Sequence, residues 1–278
     1  GDEVSRKTPQ WLMDYGFRQA DHVIVHGEPL SRQVRDLFRF DSSQVHVIPH
    51  VAMGQTLEGS TLEEDPNLVL FFGRIWDYKG LDQLIAAEPI LNQLVPSARI
   101  MIAGEGEDFS RYRNQMRNPD HFVVHNRWVS DEERAQMFRR AAVVVLPYNE
   151  ATQSGVVPVA YNYSKPVVAT DVGALSECVE HGVTGLLVPP REPEKLAHAL
   201  ARLLQDEELR VRLGRTGKQK LDDESSPAVV AEKTVQVYAR ALGWNSVPVE
   251  LEKASRGSEE LVSAQSTAGP YSLSEEGQ

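Results

Sequence analysis

The sequence predicts an α/β protein built on a doubly wound parallel sheet, with a partial N-terminal βαβ piece and a helical C-terminal end. Between residues 67 and 190, short β-branched runs alternate with loops and segments of helical spacing. None of those runs alternates polar with apolar residues. Strands apolar on both faces need helices on both sides, and a parallel sheet with crossover helices supplies them.

From the N-terminus, residues 11–20 read as a helix, 22–26 (His-Val-Ile-Val-His) as a buried strand, 31–40 as a helix and 45–49 as a second strand. One βαβ unit buries too little surface to stand alone, because domains typically run to ~50–250 residues. Residues 1–55 therefore read as the end of a lobe, and the polar residues 56–66 as a linker. The main domain, 67–243, carries strand runs at 68–72, 99–102, 122–124, 143–146, 166–169 and 185–188. Pro89 is expected to kink the helix over 80–94 or end it early. Leu196, Leu200, Leu203 and Leu204 share one face of a helix over 193–204, and further helices follow over 207–220 and 227–242. Residues 244–278 lose apolar periodicity in favour of Ser, Glu and Gly and read as a disordered tail.

The charge balance, 29 basic against 40 acidic residues for a net −11, argues against a chain built to grip nucleic acid. No apolar run approaches the ~18–20 residues needed to span a bilayer. The first residues lack an apolar leader, and the single cysteine, Cys178, cannot form an internal disulfide, so the expectation is a cytoplasmic protein. Eight scattered histidines and one cysteine show no metal-ligand spacing, so no metal site is expected.

In open α/β sheets ligands bind beyond the carboxyl ends of the strands, so the loops after each run matter most. After the first run, Gly73-Arg74-Ile75-Trp76-Asp77-Tyr78-Lys79-Gly80 puts two cations on one short loop before a helix, a combination suited to a diphosphate. The competing use is a surface pair of Arg74 with Asp77 beside a solvated Lys79. Ser154 and Gly155, small and polar at a helix start, could turn backbone N–H groups toward phosphate oxygens, or Ser154 could be a simple cap. Gly104-Glu105-Gly106-Glu107 resembles a dinucleotide loop, but its carboxylates would repel pyrophosphate, and its small residues read as room for a polar ligand near the backbone.

Taken in order, these loops resemble the nucleotide-binding half of the retaining glycosyltransferases of family 4, the group 1 glycosyl transferases, which have the two-lobed, Rossmann-like GT-B fold. The residues that carry the likeness are Gly73-Arg74 with Lys79-Gly80, Ile102-Ala103-Gly104-Glu105-Gly106, and Lys165-Pro166 through Asp171-Val172-Gly173 with Glu177. Gly182 to Pro190 completes the set, and Ala20 to Val25 and Val47 to His50 look like the last strands of the acceptor lobe. The resemblance implies transfer of a hexose from a nucleotide-diphosphate sugar to a saccharide or lipid-linked acceptor, without metal or other cofactor. Arg74 and Lys79 would hold the diphosphate, with Gly73, Gly104, Ser154 and Gly155 around it, and backbone near Arg127 and Val129 would meet the base. Preoriented cations and amides are what a leaving diphosphate needs.

Two departures stand out. The family's paired glutamates would fall at Ala151 and Val159, neither acidic, and Glu150 sits one residue from the first. A shift of the loop would make Glu150 the third catalytic candidate. The chain is also too short for two full lobes, which implies a truncated fragment or a partner subunit that supplies the rest of the acceptor lobe. The alternative is a non-catalytic subunit that binds nucleotide sugar. Arg134, Arg139 and Arg140 read as a solvated helix face, with peripheral contact at the inner membrane face as a lesser use. Trp76 and Tyr78 are expected to pack their loop onto the domain, and Cys178, with no activating neighbour in sequence, to be inert. His26 and His50 stand at strand ends and read as surface or capping residues.

Overall fold

The computed structural model describes residues 9–51, 63–151 and 154–244. Most of the expected linker, Thr152, Gln153 and the expected tail beyond Trp244 lie outside the described residues.

The N-terminal piece holds α1 (Gln10–Arg18), β1 (Val23–Val25), α2 (Glu28–Phe38) and β2 (Val45–Val47), and its two strands pair in parallel, Val23 opposite Val45. Helix α2 starts earlier than the apolar spacing predicts. Pro29 sits in its first turn, where a missing N–H leaves no hydrogen bond unmade. Val25, Val34 and Val45 form a small core that Phe17 and Phe38 close by stacking, with ring centroids 4.3 Å apart.

The main sheet has six strands, β3 (Leu68–Phe72), β4 (Arg99–Ala103), β5 (Phe122–His125), β6 (Val143–Leu146), β7 (Val167–Thr170) and β8 (Gly185–Val188). Their order is β5-β4-β3-β6-β7-β8 and every pairing is parallel, the doubly wound topology. The sheet is why the runs are apolar throughout. Val69, Phe71, Ile100, Ile102, Val143 and Val145 enter one core, and Leu68, Leu70, Met101, Ala103, Val144 and Leu146 enter the other.

Helix α3 (Leu81–Leu94) runs on past Pro89 by five residues, so the proline does not end it. Leu84, Ala87 and Leu91 are buried on its inner face, and that packing outweighs the hydrogen bond lost at Pro89. Short α4 (Ser110–Arg113), α5 (Asp131–Arg140), α6 (Val156–Asn162) and α7 (Leu175–Cys178) follow. Ser130 and Glu133 close the start of α5 as a reciprocal capping box. Arg134, Arg139 and Arg140 on that helix are half-buried rather than a fully solvated face, and Arg134 pairs with Asp131 at 2.8 Å. Helices α8 (Pro193–Gln205), α9 (Glu207–Ser225) and α10 (Pro227–Ala241) complete the C-terminal end.

Leaving the linker, Glu64 pairs with the buried Lys165 and, at 3.1 Å, with the buried Arg210, while Asp65 pairs with Arg99. The chain thus enters β3 through a clamp of ion pairs. The N-terminal piece touches the main domain where the N–H of Glu28, at the start of α2, donates to Glu177 Oε2 at 3.1 Å. Among the described residues no helix is long and apolar enough to cross a membrane.

Candidate functional site

Strand order reverses between β3 and β6, and the crevice beyond their carboxyl ends is where a doubly wound sheet receives ligands. The described residues that line it include 73–80, 147–151 and 154–155, which carry Arg74, Lys79, Tyr148 and Ser154. The first turns tightly from β3 to α3 through a 3₁₀ turn, Asp77–Lys79, which Gly80 ends in the left-handed region at φ 65°. A Cβ at Gly80 would lie 1.9 Å from the carbonyl oxygen of Pro147. The backbone of the lysine-bearing turn therefore rests directly on the loop after β6, and only glycine permits the contact.

The charges on this turn are sorted in a particular way. Asp77 pairs with Arg111 of α4, not with Arg74. Arg74 is exposed and makes no hydrogen bond or ion pair among the described residues, and Lys79 has no carboxylate partner among them either. The Lys79 ammonium stands 3.7 Å above the centroid of the Tyr148 ring and 5.2 Å from that of Tyr78. Burial, and then the neighbouring positive charge of Arg74, lowers the Lys79 pKa to about 8. Two cations close enough to disfavour one another, with no acid between them, form a site that an anion would complete.

The second loop is held from beneath. The Tyr148 ring is 1% exposed, its hydroxyl stands 3.3 Å from Ser154 Oγ, and its carbonyl accepts from Thr170 Oγ1 at 2.6 Å. Burial pushes the Tyr148 phenol well up, so it stays protonated. Ser154 Oγ also accepts from the N–H of Val156 at 3.3 Å, and Gly155 caps α6. Ser154 is thus not the N-cap of α6, although its hydroxyl accepts one N–H of the first turn, and that hydroxyl is buried rather than open.

The remaining candidates fall around the same rim. Gly73 and Gly104 face each other: Gly104 has φ 140°, and a Cβ there would sit 2.0 Å from the Gly73 carbonyl oxygen. The room at Gly104 is filled by backbone of the neighbouring loop rather than left for a ligand. Arg127 pairs with Glu133, to which it donates at 2.9 Å, and also donates to the Trp128 carbonyl, so its side chain braces the loop after β5. That pairing and the Ser130 N–H hold Glu133 down to about 2. Val129 is nearly buried, whereas Trp128 is 74% exposed. Trp76 and Tyr78 are exposed too, contrary to the packing expected of them. Glu150 is exposed and makes no hydrogen bond or ion pair among the described residues, while Ala151 and Val159 leave the expected acidic positions apolar.

Sequence reasoning missed Tyr148 as a partner of Lys79 and Arg111 as the partner of Asp77. The place of Tyr148, directly beyond the carboxyl end of an innermost strand, was the available signal. At the seam with the N-terminal piece lies a cavity of about 320 Å³, bordered by His26, His50, Ser154, Glu177, Cys178 and Lys220 among others. His26 and His50 stack there with centroids 4.0 Å apart, and His26 Nδ1 is 2.8 Å from the carbonyl oxygen of Ile48. Burial raises the Cys178 thiol, which keeps it unreactive.

Residues 66–206 match the family described as glycosyl transferases group 1. An uncharacterized glycosyltransferase of Methanocaldococcus jannaschii is 30% identical over 65% of this chain and 47% of its own length. Glycogen synthase of Mycobacterium tuberculosis is 28% identical over 83% of this chain and 56% of its own length. The chain thus spans about half the length of these relatives. The solved structure of Anabaena Alr3699/HepE in complex with UDP and glucose superimposes with a TM-score of 0.69 at 20% identity, over 84% of this chain and 66% of that one.

Proposed function

The chain belongs to the group 1 glycosyl transferases, and on that premise we propose that it carries the nucleotide-sugar-binding lobe of a hexosyltransferase. Its donor would be a nucleotide-diphosphate sugar, its acceptor a saccharide or lipid-linked sugar, and its outcome retention of configuration. The observation that carries the reading is the pair Arg74 and Lys79, converged at the strand-order reversal with no carboxylate partner among the described residues. As the bond from sugar to diphosphate breaks, negative charge builds on the leaving phosphate. The Arg74 fork and the desolvated Lys79 ammonium would meet that charge without reorganising, so metal would not be required. Retention, the hexose and the acceptor rest on the likeness of the ordered loop set to the family.

A second reading has its own observation. With Ala151 and Val159 apolar and Glu150 exposed and unengaged among the described residues, the two carboxylates that the family likeness would put near the donor are missing from their positions. A subunit that binds nucleotide sugar and leaves chemistry to a partner that supplies more of the acceptor lobe fits that arrangement. One series separates the two. A thermal-shift screen across nucleoside diphosphates should raise the melting temperature, since ligand at 100 times its Kd stabilises by ~2.7 kcal/mol. Turnover of the matching nucleotide sugar, measured with and without candidate partner chains, supports the transferase. Binding without turnover in every combination supports the binding subunit, and no shift with any nucleoside diphosphate at millimolar concentration overturns both.

A further inference from the structure

We propose that Tyr148 is a positioning residue of the anion site, its ring holding the Lys79 ammonium at the crevice and its hydroxyl tying that ring to Ser154. This rests on the reading of Arg74 and Lys79 as the diphosphate-binding pair. An ammonium drawn out of water needs something in place of its hydration shell. A carboxylate would serve, but it would neutralise the charge that a diphosphate has to meet. The face of an aromatic ring attracts the cation and leaves its charge intact.

Tyr148 meets the requirements of such a seat. Its ring centroid is 3.7 Å from Lys79 Nζ, whereas the Tyr78 ring, on the lysine's own turn, is 5.2 Å away and exposed. The seat is rigid, because the ring is almost fully buried and Thr170 Oγ1 donates to the Tyr148 carbonyl at 2.6 Å. The lysine is brought to it by the backbone contact at Gly80 and Pro147, and Asn149 N–H donates to the Tyr78 carbonyl at 2.8 Å, so the two loops are joined backbone to backbone. The phenol hydroxyl, 3.3 Å from Ser154 Oγ, joins the cation seat to the start of α6. The groups that face Lys79 are Arg74 and Tyr78 from its own loop and Tyr148 from the loop after β6. No carboxylate among the described residues pairs with Lys79.

The test is calorimetric titration of the full chain with a nucleoside diphosphate across about pH 7 to 9.5, around the range in which Lys79 titrates. Tyr148→Phe keeps the ring and should bind within about threefold of the parent. Tyr148→Leu removes the ring and should bind roughly five- to thirtyfold more weakly, with its alkaline loss of affinity moved to lower pH. Because Leu leaves a hole in the core, a second series replaces Tyr148 by phenylalanines of increasing fluorination, which keep the shape and drain the ring face of negative potential. Affinity should fall stepwise along it. Leucine binding like the parent with an unmoved alkaline limb, or a flat fluorine series, overturns the role of Tyr148 while leaving the diphosphate site standing. A parent chain that binds no nucleoside diphosphate overturns both.

Discussion

Asp77 lies three residues from Arg74 and two from Lys79, yet its carboxylate reaches across to Arg111 of α4. That single choice of partner separates a ligand-binding loop from an ordinary surface ion pair. It also fixes the expected pH response. Lys79, lowered to about 8 by burial and by Arg74, is charged below that pH and loses its proton above it. An anion favours the charged form, so affinity for a nucleoside diphosphate should be greatest below about pH 8 and decline as pH rises through it. Titrations at a series of pH values check this, and affinity that climbs through the same interval contradicts it. Arg74 and Lys79 were legible in the sequence because both stand on one strand-end loop. Tyr148 was not, because an aromatic after a run of four buried residues reads as core, and only the fold lays Lys79 on its face.

The strands of the main sheet were legible as elements because both their faces are buried, which leaves an unbroken apolar run in the sequence. The loops were legible only in composition. Their contacts join residues far apart in the chain, and the role read for Gly104 shows the difference: its missing side chain makes way for the Gly73 carbonyl. Gly104→Ala should therefore destabilise the chain by ~2–4 kcal/mol, through a side chain at positive φ and a backbone clash, and lower the melting temperature measurably. A melting temperature unchanged from the parent would contradict that packing. At the entry to β3, Glu64→Ala leaves Lys165 and Arg210 buried without their shared acid, and denaturant unfolding should report a loss of ~2–4 kcal/mol. The helix over Pro89 makes the complementary point, since burial of Leu84, Ala87 and Leu91 carried α3 past a residue that local propensity alone would have made its end.

At the scale of the molecule, a six-stranded lobe meets a two-stranded piece through the N-terminus of α2, where Glu177 accepts the Glu28 N–H. A Cβ at Gly27 would come within 3.0 Å of Glu177 Oε2, so that approach is close on both sides. A carboxylate at a helix N-terminus contributes ~0.3–1 kcal/mol, modest for a domain but large for a piece with so small a core. Glu177→Ala should accelerate amide exchange through α2 and leave nucleoside diphosphate affinity unchanged, and unchanged exchange would rule out this contact as the fastening. The family likeness was legible from the order of its motifs, whereas the relation of the two pieces depends on surfaces no motif describes. The claim on which the functional reading depends concerns two cations at the reversal of a parallel sheet. Calorimetric titration of the full chain and of Arg74→Ala with a nucleoside diphosphate near neutral pH tests it directly. The parent should bind saturably, and Arg74→Ala about 10- to 150-fold more weakly through loss of charge-assisted hydrogen bonds worth ~1.5–3 kcal/mol. Equal affinity of the two proteins, or no binding to either, would contradict it.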